Sequence, residues 1–393
     1  MSDTLCPAPW EHHCINTNGR NRLCCNAVTS KTKFLDGFED YWTSKEVQDV
    51  RDQMIKGERP DACVSCWKKE DAGIKSLRQG MTAALQSRGG EWEKFTSNLN
   101  YVPNYPIHLD LKLGNYCNLS CRMCSSYSSS SYATEFQRIL KDTGIDLGIN
   151  DYEKYNKQSK WYNDPQFVNT IKSMIDNGLR HLKFTGGEPL MVPSVKKLLD
   201  YCIEKNKAKD IELVLITNGT LLNQSWIDLF SHFSDISIIF SIDGTEDIFE
   251  YIRHPAKWHV ILDKLNLLKS NNDNKFSSFI AFTYQIYNIL ETKNMIELAR
   301  KYNVNLSAII LDTPDYLDVS YAPEKLKQHA KDIIENITPQ NQTEKTFLRD
   351  CKNAIIRNKH DNEKSKRMIE VSKIKDTYKQ QNFDLTEIAK YYG

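Results

Sequence analysis

The chain has 393 residues, of which 40% are apolar and 26% are charged, as in ordinary globular proteins of two or three structural units. Its formal net charge is +1, so no strong field draws it toward nucleic acid or a membrane, and we expect neither as a partner. No apolar run approaches the ~18 residues of a membrane span, and the first residues lack the basic and apolar regions of a signal peptide. We therefore expect a cytoplasmic protein.

Nine of the eleven cysteines precede residue 125. An odd, clustered number of cysteines without a visible signal peptide argues against a disulfide framework. Thiolates bind zinc and iron–sulfur clusters, so metal binding is the natural alternative. Cys202 and Cys351 stand alone, and we expect both to be packing residues.

Residues 1–85 form a block rich in cysteine and tryptophan. The stretch HHCINTNGRNRLCC predicts a β-hairpin with Asn18-Gly19 as a two-residue type I′ turn, which sets residue 13 opposite residue 24. Residues 44–57 have the capping residues and periodicity of a helix.

After a predicted linker over residues 86–105, short apolar runs alternate with helical stretches. Such alternation predicts an α/β fold of parallel βα units, in an open sheet or a barrel. The six predicted strands are IHLDLKLG (107–114), HLKFTGG (181–187), IELVLITN (211–218), ISIIFSID (236–243), FIAFTYQI (279–286) and LSAIIL (306–311).

Two further segments flank or interrupt this pattern. The connection at 125–180 is long, and we expect a loop with helices near the site, either a lid or a solvated insertion. Residues 321–393 have helical periodicity and mixed charges, which predicts a helical C-terminal extension with solvated faces.

Three cysteines follow the first strand, in the stretch CNLSCRMC, and chemistry in parallel βα folds lies at the carboxyl ends of strands. Three thiolates can hold three irons of a four-iron cluster and leave the fourth open. A structural zinc site normally has four ligands, and the next cysteine is Cys202. Zinc stays an alternative on spacing alone. The predicted ligands are Cys117, Cys121 and Cys124.

The next strand ends carry groups that suit an amino acid with an attached nucleoside. Paired glycines let a ligand approach the backbone and offer amide donors. A carboxylate can receive an ammonium group, and an arginine can pair with a carboxylate. The candidates are Gly186, Gly187 and Glu188 in GGEP, Thr217 and Asn218 in TNG, Ser241 and Asp243 in SIDG, and Arg253.

Residues 107 to about 311 resemble the radical SAM superfamily. The motifs that carry the resemblance are CNLSCRMC, FTGGEP, ITNG, SIDG with the later arginine, and TYQIYN. The resemblance implies a partial (β/α)6 TIM-type barrel over residues 106–320 and a four-iron four-sulfur cluster on the three cysteines. It also implies S-adenosylmethionine on the open iron, cleaved reductively to a 5′-deoxyadenosyl radical that abstracts a substrate hydrogen.

The resemblance also implies roles for single residues. Gly186-Gly187-Glu188 matches the motif beside the methionine amine, and Ser241 and Arg253 match positions that contact the ribose and the methionine carboxylate. The position before the third cysteine is often aromatic in the family. Here it is Met123, which implies an apolar rather than a stacked contact with adenine.

The N-terminal block resembles the first half of a SPASM or twitch auxiliary-cluster module, placed before the barrel instead of after it. Its pattern is a cysteine, twelve residues, a glycine, four residues, a cysteine, and later CxxC. A second four-iron cluster is implied, with a zinc site as the alternative. The spacing after Gly19 favours Cys24 over its neighbour. The predicted ligands are Cys6, Cys24, Cys63 and Cys66, and the alternates are Cys14, Cys25, His12 and His13.

The leading hypothesis is therefore a radical SAM enzyme that modifies a peptide or protein, with a sugar or nucleotide derivative as the alternative substrate. A reductant such as flavodoxin or ferredoxin would supply the electron. A third hypothesis is a zinc-stabilised binding module without activity. Tyr284 and Asp312 are candidates for a catalytic acid or base, although packing and capping are the simpler interpretations of these residues.

Overall fold

The computed structural model describes residues 3–73, 75–147, 160–271, 275–357 and 361–392. The strands in these residues are β1 (His12–Ile15), β2 (Asn21–Arg22), β3 (His108–Lys112), β4 (His181–Thr185), β5 (Glu212–Thr217), β6 (Asp235–Ser241), β7 (Phe276–Tyr284) and β8 (Asn305–Ile310). They form one open sheet with the order β2-β1-β3-β4-β5-β6-β7-β8. The predicted α/β class and the six predicted strands, β3 to β8, are confirmed.

The helices vary from one turn to five turns. They are α1 (Ala8–Glu11), α2 (Phe38–Trp42), α3 (Lys45–Lys56), α4 (Val64–Asp71), α5 (Leu77–Gln86), α6 (Glu91–Thr96), α7 (Ser130–Thr143), α8 (Pro165–Asp176), α9 (Pro193–Glu204), α10 (Gln224–Phe230), α11 (Glu246–Ile252), α12 (Trp258–Ser270), α13 (Thr292–Tyr302), α14 (Glu324–Glu335), α15 (Gln342–Ile356) and α16 (Asn362–Lys379). Among the described residues, none of these helices has the length and apolar character needed to cross a membrane.

The chain divides into two compact units. The first consists of Met1–Asn115, Tyr155–Val214 and His232–Asp235, and the second of Tyr116–Lys154, Leu215–Ser231 and Ile236–Gly393. The domain boundaries predicted from sequence at residues 85, 105 and 320 stay predictions, because units defined by contacts do not test which part folds alone.

In the first unit, the N-terminal hairpin is part of the main sheet. Strand β1 pairs with β2 in antiparallel fashion and with β3 in parallel fashion, so that Ile15 lies beside Leu111. A short two-stranded hairpin is marginal by itself, and docking on β3 supplies the missing neighbour. The N-terminal block therefore supplies a strand to the main sheet and is not only an appended module.

The hairpin is confirmed, but its predicted turn is wrong. The backbone N–H of Asn16 donates to the carbonyl of Arg20 over 2.9 Å and closes a three-residue loop, in which Gly19 has φ +76°. A three-residue loop with a left-handed last residue is the next commonest hairpin connection after the two-residue turn. The register pairs Cys14 with Arg22, so residue 24 does not lie opposite residue 13.

The segment predicted as a linker, residues 86–105, is packed. It contains α6, and Trp92, Phe95, Leu99 and Val102 pack against the apolar core of the N-terminal block. The indole N–H of Trp10 donates to the carbonyl of Leu99 over 2.9 Å. The apolar spacing of these residues buries one side of the segment, and the assignment of residues 86–105 as a linker stays a prediction.

In the second unit, the parallel ladders β6–β7 and β7–β8 are followed by the C-terminal helices. Phe347 of α15 packs against Phe282 of β7, with ring centroids 5.7 Å apart. The predicted helical extension is confirmed. The prediction of solvated faces is wrong for α16, which buries Lys375, Asp376 and Lys379. Helices α7 and α8 occupy part of the long connection, and residues 148–159 of the predicted lid lie outside the described residues.

Candidate functional site

The loop after β3 carries the three predicted cluster ligands in the second unit. Its backbone is held at the end of α11, because the N–H of Ser120 donates to the carbonyl of His254 over 2.8 Å and that of Arg122 donates to Ile252 over 2.9 Å. The N–H of Cys124 donates to the carbonyl of Cys121 over 3.0 Å and forms a turn.

The serine-rich stretch that follows also holds this loop. The hydroxyl of Ser129 donates to the carbonyl of Leu119 over 2.6 Å, and that of Ser131 donates to the carbonyl of Cys117 over 2.7 Å. Ser129 is at the same time the N-cap of α7, because its oxygen accepts from the backbone N–H of Tyr132. The start of α7 and the ends of the cysteine loop are thus fixed by the same side chains.

The three thiols lie close enough for their charges to interact. Burial raises the pKa of the Cys124 thiol, and the neighbouring Cys121 and Cys117 raise it further. Burial also raises the pKa of Cys121, although Arg253 opposes that shift. Three buried thiolates this close together would repel one another, and binding a cation stabilises them. Thiolates are the ligands of zinc and of iron–sulfur clusters.

Nitrogen donors approach two of the sulfurs. The guanidinium Nη1 of Arg253 is 4.0 Å from Cys121 Sγ, and the amide Nδ2 of Asn218 is 4.0 Å from Cys117 Sγ. The backbone N–H of Leu119 donates to Cys117 Sγ over 3.5 Å. Hydrogen bonds to the sulfurs are one of the means by which proteins set the potential of an iron–sulfur cluster.

Arg253 is held by Asp243 at the end of β6. Their Nη2 and Oδ2 atoms are 2.7 Å apart, and Asp243 Oδ1 accepts from the backbone N–H of Thr283 over 2.7 Å. Burial raises the pKa of Asp243, and Arg253 opposes this rise. Because both carboxylate oxygens have partners, the geometry favours a role for Asp243 in orienting Arg253. The buried Nε of Arg253 has no partner in the described part of the chain.

The turn after β5 is bonded to the cysteine loop. Asn218 Oδ1 accepts from the backbone N–H and the hydroxyl of Thr220, over 3.0 and 2.7 Å, while its Nδ2 donates to Asn118 Oδ1 over 2.8 Å. Thr217 Oγ1 accepts from the N–H of Gly219 over 3.0 Å. Both predicted residues therefore shape this turn. Ser241 ends β6 and Met123 lies between two of the cysteines, and both are half-buried.

The GGEP motif belongs to the first unit, where it forms the turn after β4. Gly186 has φ +119°, and the N–H of Gly187 donates to the carbonyl of Gly114 over 3.1 Å. Glu188 is fully buried, and its Oε1 accepts from the backbone N–H of Leu190 over 3.1 Å. Glu188 thus caps its own short helical turn, and a contact with an ammonium group stays a prediction.

The four predicted N-terminal ligands line one cavity in the first unit. Burial raises the pKa of Cys6, and the charges of Cys24, Cys63 and Cys66 add to this rise, so the four thiols are neighbours. Cys25 is not on the wall of this cavity. Its other walls are mostly apolar and comprise Ala8, Pro9, Leu23, Asn26, Ala27, Met54, Leu77, Arg78 and Met81.

Within the five described ranges, no three side chains of His, Cys, Asp or Glu meet the geometry of a one-metal site. The alternates also have other contacts: His13 is fully buried among Phe34, Phe38, Tyr41 and Trp42. The ring nitrogen Nδ1 of His12 lies 2.9 Å from the carbonyl oxygen of Leu23.

The structure also brings α16 to the cysteine loop, which the sequence patterns missed. The guanidinium of Arg122, between the second and third cysteines, pairs with Asp376 and donates to Gln381 Oε1 over 2.8 Å. Burial and the neighbouring Lys379 lower the pKa of Lys375 to about 7. Of the buried residues of α16 only Met368 and Val371 are apolar, so apolar periodicity could not find this face, and the pair of lysines four residues apart is the one signal for it in the sequence.

The structure does not support the prediction that Tyr284 or Asp312 acts as a catalytic acid or base. The Tyr284 hydroxyl is buried and donates to the carbonyl of Ile289 over 3.0 Å, which is a packing role. Asp312 is exposed just after β8.

Comparison with known proteins identifies the central part of the chain. Residues 111–299 match the family model described as the radical SAM superfamily, and this part of the chain is a radical SAM domain. The radical SAM resemblance is thereby confirmed, while the N-terminal auxiliary module stays a prediction.

Two curated relatives come from Bacillus subtilis (strain 168). The sporulation killing factor maturation protein SkfB is 22% identical over 235 residues, which cover 60% of this chain and 48% of SkfB. The antilisterial bacteriocin subtilosin biosynthesis protein AlbA is 25% identical over 166 residues, covering 42% of this chain and 30% of AlbA. The chain thus spans less than half the length of these relatives. Streptococcus suis SuiB bound to S-adenosylmethionine matches with a TM-score of 0.39 and 14% identity, over 82% of this chain and 68% of SuiB.

The GGEP turn should depend on glycine at position 186. A Cβ atom there would lie 2.9 Å from the carbonyl oxygen of Gly114 and 3.1 Å from the backbone nitrogen of Leu113, and neither backbone atom can move freely. We expect Gly186→Ala to lower the free energy of unfolding by about 2 kcal/mol or more, measured by urea denaturation.

Gly144→Ala is the matched control. Gly144 also has positive φ, at +69°, but a Cβ there meets nothing within 4 Å. Its cost should be that of the backbone conformation alone, about 1 kcal/mol. Equal losses in the two variants would contradict the proposed crowding at Gly186.

Proposed function

We propose that the chain is a radical SAM enzyme that holds a four-iron four-sulfur cluster on Cys117, Cys121 and Cys124. The observation that carries the proposal is the loop of three neighbouring buried thiols, with nitrogen donors at two sulfurs and no fourth cysteine before Cys202. Three ligands suit a cluster with one open iron. When bound, this group supplies the electron that cleaves S-adenosylmethionine to a 5′-deoxyadenosyl radical, which abstracts a substrate hydrogen.

The residues of the chain then bind and orient the cofactor. Arg253 keeps one buried nitrogen without a partner in the described ranges, and it would pair with the methionine carboxylate. Asp243 holds the guanidinium in place from β6. The Gly186-Gly187-Glu188 turn would lie beside the methionine amine, with the Glu188 carboxylate as its acceptor. Ser241 would contact the ribose, and Met123 an edge of the adenine.

The cysteines of the N-terminal block would hold a second four-iron cluster. Support comes from four thiols on one mostly apolar cavity, since burial in apolar surroundings favours thiolates only when a metal neutralises them. A zinc ion on the same four cysteines is the alternative occupant. A reducing compartment such as the cytoplasm would keep both sets of thiols free for metal.

A peptide or protein is the proposed substrate. The support is that SkfB is named for maturation of a sporulation killing factor and AlbA for biosynthesis of the bacteriocin subtilosin. A sugar or nucleotide derivative is the alternative. The electron would come from flavodoxin, ferredoxin or a similar reductant.

The first test is formation of 5′-deoxyadenosine from S-adenosylmethionine by reconstituted, dithionite-reduced protein. We expect the single variants Cys117→Ala, Cys121→Ala and Cys124→Ala to form none, because each removes one of only three cluster ligands. Cys351→Ala, which changes a lone buried cysteine of α15, should keep the activity. Product formation in any of the three loop variants would refute the site, and none in the wild type would favour the binding module.

The second site is tested by comparing two adjacent cysteines. Cys24 lines the cavity and Cys25 does not. Cys24→Ala should therefore lose about four irons per chain after reconstitution, while Cys25→Ala should keep the wild-type content. Loss of iron in Cys25→Ala alone would show that the ligand was assigned to the wrong residue. Zinc in place of iron would select the alternative occupant.

A further inference from the structure

Helix α16 is bonded to the backbone of the cysteine loop through two buried lysines. The ammonium of Lys375 donates to the carbonyl of Arg122 over 2.8 Å, and that of Lys379 donates to the carbonyl of Ser120 over 2.6 Å. Residues four apart on a helix lie on the same face. One turn of α16 therefore reaches two carbonyls that are themselves two residues apart in the loop.

The same two residues are bonded through their backbone N–H groups to the end of α11. Ser120 and Arg122 donate their backbone N–H groups to His254 and Ile252, and they give their carbonyls to α16. Both the N–H and the carbonyl of each residue are therefore hydrogen-bonded, which restricts the movement of the backbone. The segment that carries Cys121 is therefore clamped between a helix end and a helix face.

Most cations around the loop have an acidic partner. Arg122 pairs with Asp376, Arg253 with Asp243, and Lys379 with Glu135 at 2.6 Å. Such pairing offsets the cost of burying a charge.

Lys375 is the exception. It is 1% exposed, and in the described parts of the chain no carboxylate oxygen forms an ion pair with its ammonium. Its other contacts are the hydroxyl of Tyr132 at 3.2 Å and the face of the Tyr132 ring at 4.7 Å. Burying a charge without a counter-ion is expensive, so such a group indicates that a negative partner belongs nearby.

The Glu135 carboxylate, which pairs with Lys379, and the cysteine thiolates are the negative groups within electrostatic reach of the two lysines. The charge of Cys124 acts on Lys375, and that of Cys121 acts on Lys379. A cluster on three thiolates becomes more negative when it accepts an electron, and nearby charge is one of the terms that set its potential. When Lys375 is protonated, its ammonium stabilises the reduced form more than the oxidised form, and the negative cluster in turn favours the protonated lysine.

We infer that α16 is a working part of the cluster site, in which Lys375 and Lys379 anchor the cysteine loop and the unpaired charge of Lys375 favours the reduced cluster. This inference rests on the proposed function. Lys375 is a positioning residue, because it touches the loop and not the reacting atoms. Helix α16 follows the radical SAM domain in the sequence and lies outside the residues of the family match.

The test is the midpoint potential of the cluster whose electron paramagnetic resonance signal changes when S-adenosylmethionine is added. Lys375→Met removes the charge and the donor, and Lys375→Gln removes the charge but keeps a donor for the Arg122 carbonyl. We expect a more negative potential in both variants. Lys373→Met, at an exposed position of the same helix, should keep the wild-type potential.

A second measurement separates charge from folding. Thermal unfolding of the cluster-free protein should shift upward in Lys375→Met, because an uncompensated buried charge is replaced by an apolar side chain. In the cluster-loaded protein this gain should disappear. A purely structural lysine would give the same shift in both states.

The outcomes distinguish the two proposals. A wild type without a cluster signal that responds to S-adenosylmethionine overturns the proposed function and this inference together. A responsive wild type with unchanged potential in Lys375→Met overturns the inference alone. If Lys375→Met lowers the potential and Lys375→Gln keeps the wild-type potential, the effect belongs to the hydrogen bond, and the role of the charge is overturned.

Discussion

The backbone between Cys117 and Cys124 is the constraint on which the site depends. Its N–H groups are bonded to the end of α11, and its carbonyls are bonded to α16 and to the serines that begin α7. A loop of three thiols that repel one another as thiolates would spread apart if its backbone were free. The surrounding bonds hold the thiols in place before any metal arrives, and this lowers the cost of assembling a cluster.

Side chains at the ends of β5 and β6 also help to hold the cysteine loop. Strand β5 ends in a turn whose Asn218 bonds to Asn118, and β6 ends in Asp243, which holds Arg253 beside Cys121. The hydrogen bonds that close each turn are local, but Asn218 also bonds directly to the loop, and Asp243 acts on the loop through Arg253. Strand ends in a parallel sheet thus serve two purposes, to close a turn and to aim one polar group at the site.

The sequence predicted the parts of the fold whose signals are local. Apolar runs of strand length gave β3 to β8, and the spacing of Cys117, Cys121 and Cys124 placed the loop after β3. It failed where long-range contacts decide the outcome. The residue patterns of β1 and β3 do not indicate that these two strands pair. The hairpin loop has one residue more than predicted, and this difference places Cys14 opposite Arg22.

Helix α16 shows the other limit. Besides Met368 and Val371, its buried positions hold Ser372, Lys375, Asp376 and Lys379, so a rule that assigns polar and charged residues to solvent predicts that most of this face is exposed. These residues are buried because their partners are backbone carbonyls and the side chains of Arg122 and Glu135. Only knowledge of those partners, more than 240 residues away in the chain, makes the burial understandable.

The central claim is that two separate sets of cysteines each hold a cluster. The most direct measurement is iron and acid-labile sulfide in anaerobically reconstituted protein, for the wild type and for the triple variant Cys117→Ala, Cys121→Ala, Cys124→Ala. We predict about four irons in the triple variant and about twice that number in the wild type. Iron near zero in the triple variant would contradict the claim and leave a single cluster on the loop after β3.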